Sequence, residues 1–291
     1  MEKLCLLFGI SRQAYYQYNN YVTALYLEQE LVLQEVTKIR TSHKRIGGRK
    51  LFAMLESFMI SHQIKMGRDA FFNLLSINKL LVKKRKTRII TTQSSHWLRK
   101  YKNKIKNFTP TEANQLYVSD ITYWKIGEGN AYISLITDAF SHKVVGYNIA
   151  ESLEATESIK ALKMAISNLN TVDYNLIHHS DRGAQYCCGE YVKLLLDNKI
   201  EISMTENGDP LENAIAERIN GILKGEYLEC YDIETFEEAE KLLHSVIKLY
   251  NEERPHMSIG NLTPSKVHDN NIITSKLWKN YWKKREEILV E

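Results

Sequence analysis

Asp120, Asp181 and Glu217 are the residues of this 291-residue sequence whose types and placement could do chemistry. Asp120 interrupts the apolar run Val118-Ser119-Asp120-Ile121-Thr122-Tyr123, and a charge inside such a strand is costly unless something pairs with it. Asp181 lies in His178-His179-Ser180-Asp181-Arg182-Gly183, just past a short strand, where open sheets gather their ligands. Glu217 shares one helical stripe with Asn213, Asn220 and Lys224, at i, i+4, i+7 and i+11, while Ile215, Ile219 and Ile222 take the other side. On a generic helix such a stripe is plain solvated surface; here it holds the carboxylate able to complete a trio. Hard oxygen ligands suit Mg²⁺ or Mn²⁺. Two such ions roughly 3.5–4 Å apart can activate an attacking oxygen and stabilise the leaving one, which is most of what phosphoryl transfer requires. Three bare carboxylates raise one another's pKa, so metal affinity is expected to fall at low pH.

The elements that must position these residues begin near position 115. Residues 116–126 are β-branched and aromatic and end at the turn signal Gly127-Glu128-Gly129-Asn130; 131–138 and 143–149 continue as strands. Residues 153–169 read as an amphipathic helix, 176–179 as a strand, 191–198 as a helix, 200–204 as a strand, and 213–227 and 236–250 as helices. Thr235 and Glu238 form a capping box for the last of these. Three meandering strands followed by helix, strand, helix, strand, helix is the order of an α/β, ribonuclease H-like mixed five-stranded sheet with flanking helices. In that fold the first and fourth strands are neighbours, which would bring Asp120 to Asp181.

The front of the chain differs. Residues 1–107 hold 21 Lys and Arg against 6 Asp and Glu, whereas the remainder holds 18 against 29. The overall +4 therefore conceals a basic arm beside an acidic domain, a balance that points to a polyanion partner. Residues 4–8 and 12–18, joined by Gly9-Ile10-Ser11, predict two short helices with Ser11 as cap, followed by a helix over 22–40. A compact turn between short basic helices suits an all-α helix-turn-helix-like region, and many helical bundles look the same. The expected division is a basic DNA-binding region at 1–90, a basic linker at 91–114, a catalytic core at 115–270 and a helical tail at 271–291.

Other classes fare poorly. No run of about 18 apolar residues exists to span a membrane, and the apolar start is too short for a signal peptide, so a cytoplasmic setting is expected. Four cysteines fit a reducing compartment, and the doublets His178-His179 and Cys187-Cys188 make a poor ligand set because strand neighbours point to opposite faces.

Longer motifs now tell. The sequence resembles the downstream-frame (OrfB) transposases of the IS-three group of bacterial insertion sequences, whose core is related to retroviral integrases. The resemblance rests on Ser119-Asp120-Ile121-Thr122-Tyr123, on His179-Ser180-Asp181-Arg182-Gly183-Ala184-Gln185-Tyr186, and on Glu212-Asn213-Ala214-Ile215-Ala216-Glu217, with thirty-five residues between Asp181 and Glu217. Tyr250-Asn251-Glu252-Glu253-Arg254-Pro255-His256, Leu262-Thr263-Pro264 and Arg45-Ile46-Gly47-Gly48-Arg49-Lys50 extend it over nearly the whole chain. Tyr117, Glu212 and Arg218 stand where the group usually has Trp, Asp and Ser. The resemblance implies a DDE transposase with Asp120, Asp181 and Glu217 as catalytic metal ligands for two Mg²⁺ or Mn²⁺ ions. It implies a basic residue touching the DNA end at Lys224, terminal repeats and target DNA as partners, and a homo-oligomer on DNA at the nucleoid. It also implies an upstream-frame helix-turn-helix and leucine-zipper protein, fused or separate, that supplies end recognition.

Asn213, Arg254, Arg45, Arg49 and Lys50 are further candidates for DNA contact, Arg254 and His256 being equally suited to locking a C-terminal turn. Asp138 reads as the start of a turn, His179 and Gln185 as structural or orienting neighbours of Asp181, and Tyr123 and Trp124 as core. Two alternatives remain at this point: a structure-specific nuclease or other recombinase of the same fold, and a non-catalytic DNA-binding protein.

Overall fold

The computed structural model describes residues 1–83, 97–127, 129–169, 175–206 and 210–277. It divides the chain into two compact units, Met1–Lys83 and Lys84–Glu291.

The first unit is helical: α1 (Glu2–Leu7), α2 (Arg12–Ser42), α3 (Gly48–Met54), α4 (Glu56–Ser61) and α5 (Arg68–Ile77). Ser11 caps α2 by accepting from the Ala14 amide at 3.0 Å, and Gly9 turns the chain at φ 66°. The helices expected at 12–18 and 22–40 are one helix of 31 residues. Asn19, Asn20 and Tyr21 between them include neither proline nor glycine, and their weak helix propensity costs less than about 0.7 kcal/mol each. The short second helix of the expected helix-turn-helix is therefore the start of a rod about 46 Å long. Val32 and Val36 anchor its C-terminal half to Ile46, Leu51, Leu55, Phe71 and Leu75, while Tyr18, Tyr21 and Tyr26 upstream are exposed.

The second unit is built on a five-stranded sheet of order β3-β2-β1-β4-β5, comprising β1 (Leu116–Ile126), β2 (Gly129–Asp138), β3 (Val144–Ala150), β4 (Ile177–Ser180) and β5 (Glu201–Met204). β1 and β2, and β2 and β3, pair antiparallel; β4 runs parallel to β1, and β5 parallel to β4. The mixed sheet and the neighbouring first and fourth strands are as the element order implies. Helices α6 (Ala155–Ser167), α7 (Ala184–Cys187) and α8 (Gly189–Asp197) cover one face around Tyr117, Ile136, Leu162 and Tyr191. Helices α9 (Ala214–Ile222) and α10 (Phe236–Glu252) cover the other around Trp124, Ile133, Ile219 and Leu243. α10 starts at the expected Thr235–Glu238 capping box. α6 lies so close to β3 that a Cβ at Gly146 would run into the Ala161 carbonyl. α11 (Pro264–Asn270) follows a short turn, and residues 271–277 are irregular; the rest of the expected helical tail lies outside the described residues.

Side chains alternate along β1. Tyr117 and Ser119 face α6–α8, whereas Val118, Asp120, Thr122 and Trp124 face α9 and α10. The expected linker behaves differently from a free connector. Its described part has neither helix nor strand, yet Leu98 and Tyr101 pack into the α6–α8 core, and the Lys104 amide donates to Ser203 Oγ of β5 at 2.9 Å. Its apolar contacts are too widely spaced to show a period.

Candidate active site

Ser119 of β1 pairs with Ser180 of β4, and the next residue of each chain segment is Asp120 and Asp181. β1 continues while β4 ends, so the two carboxylates stand at the notch where the parallel pairing stops. Asp181 Oδ1 accepts from the Gly183 amide at 3.0 Å, turning the chain into α7. Asp120 Oδ1 accepts from the Ile121 amide at 2.9 Å and Oδ2 from Asn220 Nδ2 at 2.6 Å.

Asp120 carries the electrostatic record of this arrangement. Burial, then the charge of Asp181 and, more weakly, that of Glu217 push its carboxyl up to about 7, against the bonds from Asn220 and Ile121. Glu217 itself is exposed on α9. Among the described residues no three His, Cys, Asp or Glu side chains are gathered closely enough to enclose an ion as they stand.

The predicted stripe on α9 lies along β1, tooth by tooth. Asn213 Nδ2 donates to the Ser119 carbonyl at 2.9 Å, Asn220 to Asp120, and Lys224 Nζ to Thr122 Oγ1 at 3.3 Å and the Tyr123 carbonyl at 2.5 Å. Asn213 is thus buried against the strand, which corrects its expected exposure to DNA: its amide docks the helix. Tyr123 also departs from expectation, being 37% exposed with the Lys224 ammonium 4.4 Å above its ring, whereas Trp124 is core. Lys224 belongs to a π-helical turn, Leu223–Tyr227, that follows α9 without a break; such turns re-aim side chains. Asn220 is the positioning residue that sequence reasoning left out of the site. Its spacing from Glu217 showed the shared stripe, but only the docked helix shows that it reaches Asp120.

Arg254 is corrected outright. Its side chain is completely buried, forks onto Glu226 with both bonds at 2.8 Å, and lies over the Tyr250 ring. His256 bonds Tyr250 at 3.0 Å and stacks on His142, and Asn251 brackets the Val144 amide and carbonyl at the β3 edge. The Tyr250–His256 motif locks the turn. Arg45 and Arg49 are exposed and Lys50 half-buried around the start of α3 in the first unit. Asp138 holds the turn after β2 by accepting from the Asn114 and Ser141 amides and Ser141 Oγ. His179 bonds Ser203 and Gln185 bonds the Leu153 carbonyl, so neither orients Asp181 through those bonds. Of the residues that depart from the resembled pattern, Tyr117 is buried and donates to Asn114, and Glu212 accepts from the Glu206 amide.

The integrase core domain family matches residues 110–210 and 198–264. The chain is 32% identical over 267 residues to the uncharacterized 31 kDa protein of insertion element IS600 from Shigella sonnei, covering 90% of this chain and 96% of that protein. It is 27% identical over 226 residues to the transposase for insertion sequence element IS629 from Shigella sonnei, covering 78% and 74%. Among solved structures, the simian T-cell lymphotropic virus intasome in complex with PP2A regulatory subunit B56 gamma contains a chain that superimposes with a TM-score of 0.50 at 17% identity, covering 84% and 78%, a likeness of fold. Among the described residues no helix is long and apolar enough to cross a membrane. A carboxylate pair at the β1–β4 notch, the matched core domain and the likeness over 90% of the chain agree: the chain belongs to the insertion-sequence transposases that carry an integrase core.

Proposed function

We propose that this DNA transposase cuts and joins strands at Asp120, Asp181 and Glu217, which together hold two Mg²⁺ or Mn²⁺ ions. The observation that carries the reading is the placement of Asp120 and Asp181 at the β1–β4 notch, with α9, which bears Glu217, tied to Asp120 through Asn220; burial and the neighbouring charges of Asp181 and Glu217 raise the Asp120 carboxyl accordingly. An all-oxygen donor set with a surplus of negative charge fits hard divalent cations. Held by Asp120, Asp181 and Glu217, such ions would supply charge neutralisation for the phosphate and activation of the attacking oxygen.

The chain's own residues supply position. Asn220 and the Ile121 amide fix the two oxygens of Asp120, whose remaining lone pairs stay available, and the Gly183 amide fixes Asp181. Glu217 closes the trio from a helix already docked on β1. Lys224, next to it on the stripe, takes a phosphate of the DNA end by leaving the Tyr123 ring. Arg45, Arg49 and Lys50 hold flanking phosphates. Water attacks the phosphodiester at the element end and frees a 3′-hydroxyl; that hydroxyl attacks a second phosphodiester, displacing its 3′-oxygen. No covalent bond forms between protein and DNA. The working complex holds terminal repeats and target DNA, more than one copy of the chain and the upstream-frame protein, at the bacterial nucleoid.

The test uses labelled DNA bearing the element's ends with Mg²⁺ or Mn²⁺, comparing the wild type with Asp120→Asn, Asp181→Asn and Glu217→Gln. Loss of both cleavage and joining in every variant is expected. Intact joining in any one of them overturns the assignment.

A further inference from the structure

Along the outer edge of the sheet, away from the carboxylates, a groove of about 600 Å³ lies between the 99–104 segment, the end of α8 and β5. Its lining includes Arg99, Lys100, Lys102, Lys104 and Lys199, with Glu201 as the acidic member. Lys104 neutralises Glu201 at 2.7 Å. Among the described residues Arg99, Lys100, Lys102 and Lys199 pair with no carboxylate, and all four are exposed. The groove therefore keeps roughly four uncompensated positive charges inside an otherwise acidic unit. Its floor is held in place, because the Lys104 amide bonds Ser203 and Tyr101 packs into the core with the Arg99 guanidinium 5.2 Å over its ring. A plain solvated surface would intersperse signs; this one concentrates cations on a fixed concave track.

The sheet sets the distance to the carboxylates. Glu201 pairs with Ile177, which pairs with Leu116, four residues before Asp120. Four residues along the strand and two strand spacings across put the groove about 16 Å from Asp120. That separation corresponds to about five base pairs of duplex axis.

We propose that the groove formed by Arg99, Lys100, Lys102 and Lys199 binds the sugar–phosphate backbone of the DNA about five base pairs from the reacting phosphodiester. The proposal rests on the strand-transfer reading for the location of that phosphodiester, while phosphate binding in the groove is measurable without it. The contacts are to backbone, so they add affinity with no sequence preference.

The experiment measures equilibrium binding of the full chain to duplex DNA over a salt series. It compares wild type with Lys100→Gln/Lys102→Gln/Lys199→Gln and the charge-retaining Lys→Arg triple. The Gln triple is expected to flatten the plot of log K against log salt by about 2–3 units, and the Arg triple to restore it. With end duplexes trimmed stepwise, the difference between wild type and Gln triple should vanish once fewer than about five base pairs extend past the cleavage position. An unchanged salt slope in a folded Gln triple overturns the proposal, as does a slope lost equally in both triples. A wild type that binds with the expected slope but never cleaves would instead count against the carboxylate assignment and leave the groove standing.

Discussion

Two polar segments of the second unit look alike in sequence and behave in opposite ways. Asn213 to Lys224 and Tyr250 to His256 each combine amide, carboxylate and cationic side chains. The first lies along β1 and delivers Asn220 to Asp120 while Glu217 stays exposed. The second turns inward, burying Arg254 on Glu226 and tying Asn251 to β3. A cation near a catalytic core is therefore no evidence of a DNA contact. Arg254 is held by Glu226, twenty-eight residues upstream, whereas the described bonds of Lys224 run to Thr122 and Tyr123 of β1.

The largest effect should come from reversing that contrast at Asp120. Asp120→Asn is expected to abolish cleavage and joining yet stabilise the metal-free protein at pH 8 by roughly 1–3 kcal/mol, because it removes a charge that burial and Asp181 oppose. Denaturant melts beside a cleavage assay check both halves. Arg254→Met should do the reverse, costing about 2–4 kcal/mol by leaving the half-buried Glu226 without Arg254. Its salt dependence of DNA binding should match wild type, and adding Glu226→Leu should recover most of the stability. A flattened salt slope in the single variant would return Arg254 to the DNA surface.

A pH series sharpens the difference further. The folded Asp120 carboxyl is raised to about 7 from 3.8, so the folded state holds its proton more tightly than the unfolded state. Metal-free stability should therefore fall as pH climbs from about 4 to 7 through this group, the reverse of a salt-bridged aspartate. Asp120→Asn should flatten that decline in thermal melts. The smallest effect belongs to Asn220→Ala. Losing one charge-assisted bond should raise the Asp120 carboxyl further and move the acid limb of the cleavage profile up by about one pH unit, with DNA affinity unchanged.

Much of this was legible in the residues. β1 spans the expected 116–126 because alternation and a glycine-rich turn bound it, and the Thr235–Glu238 box marks the start of α10. Asp120 and Asp181 were readable as neighbours once the strand order was recognised. What escaped depends on tertiary partners. Asn213 and Arg254 are polar by type and buried by circumstance, and no local pattern announces the Ser119 carbonyl or Glu226 as their counterpart. The break expected near position 20 failed because asparagines weaken a helix without stopping it. The 97–114 segment reads as a linker because its core contacts, through Leu98, Tyr101, Ile105 and the buried Ala113, follow no period.

Asp120, Asp181 and Glu217 are proposed as one coupled, metal-binding centre. Calorimetric titration of Mn²⁺ into the full chain at pH 6.5, in two buffers of different ionisation enthalpy, tests it most directly. Binding is expected to release close to one proton, to strengthen up to about tenfold per pH unit below pH 7, and to disappear in Asp120→Asn while persisting in a folded Arg254→Met/Glu226→Leu control. Binding without proton release, and equal in wild type and Asp120→Asn, would contradict it.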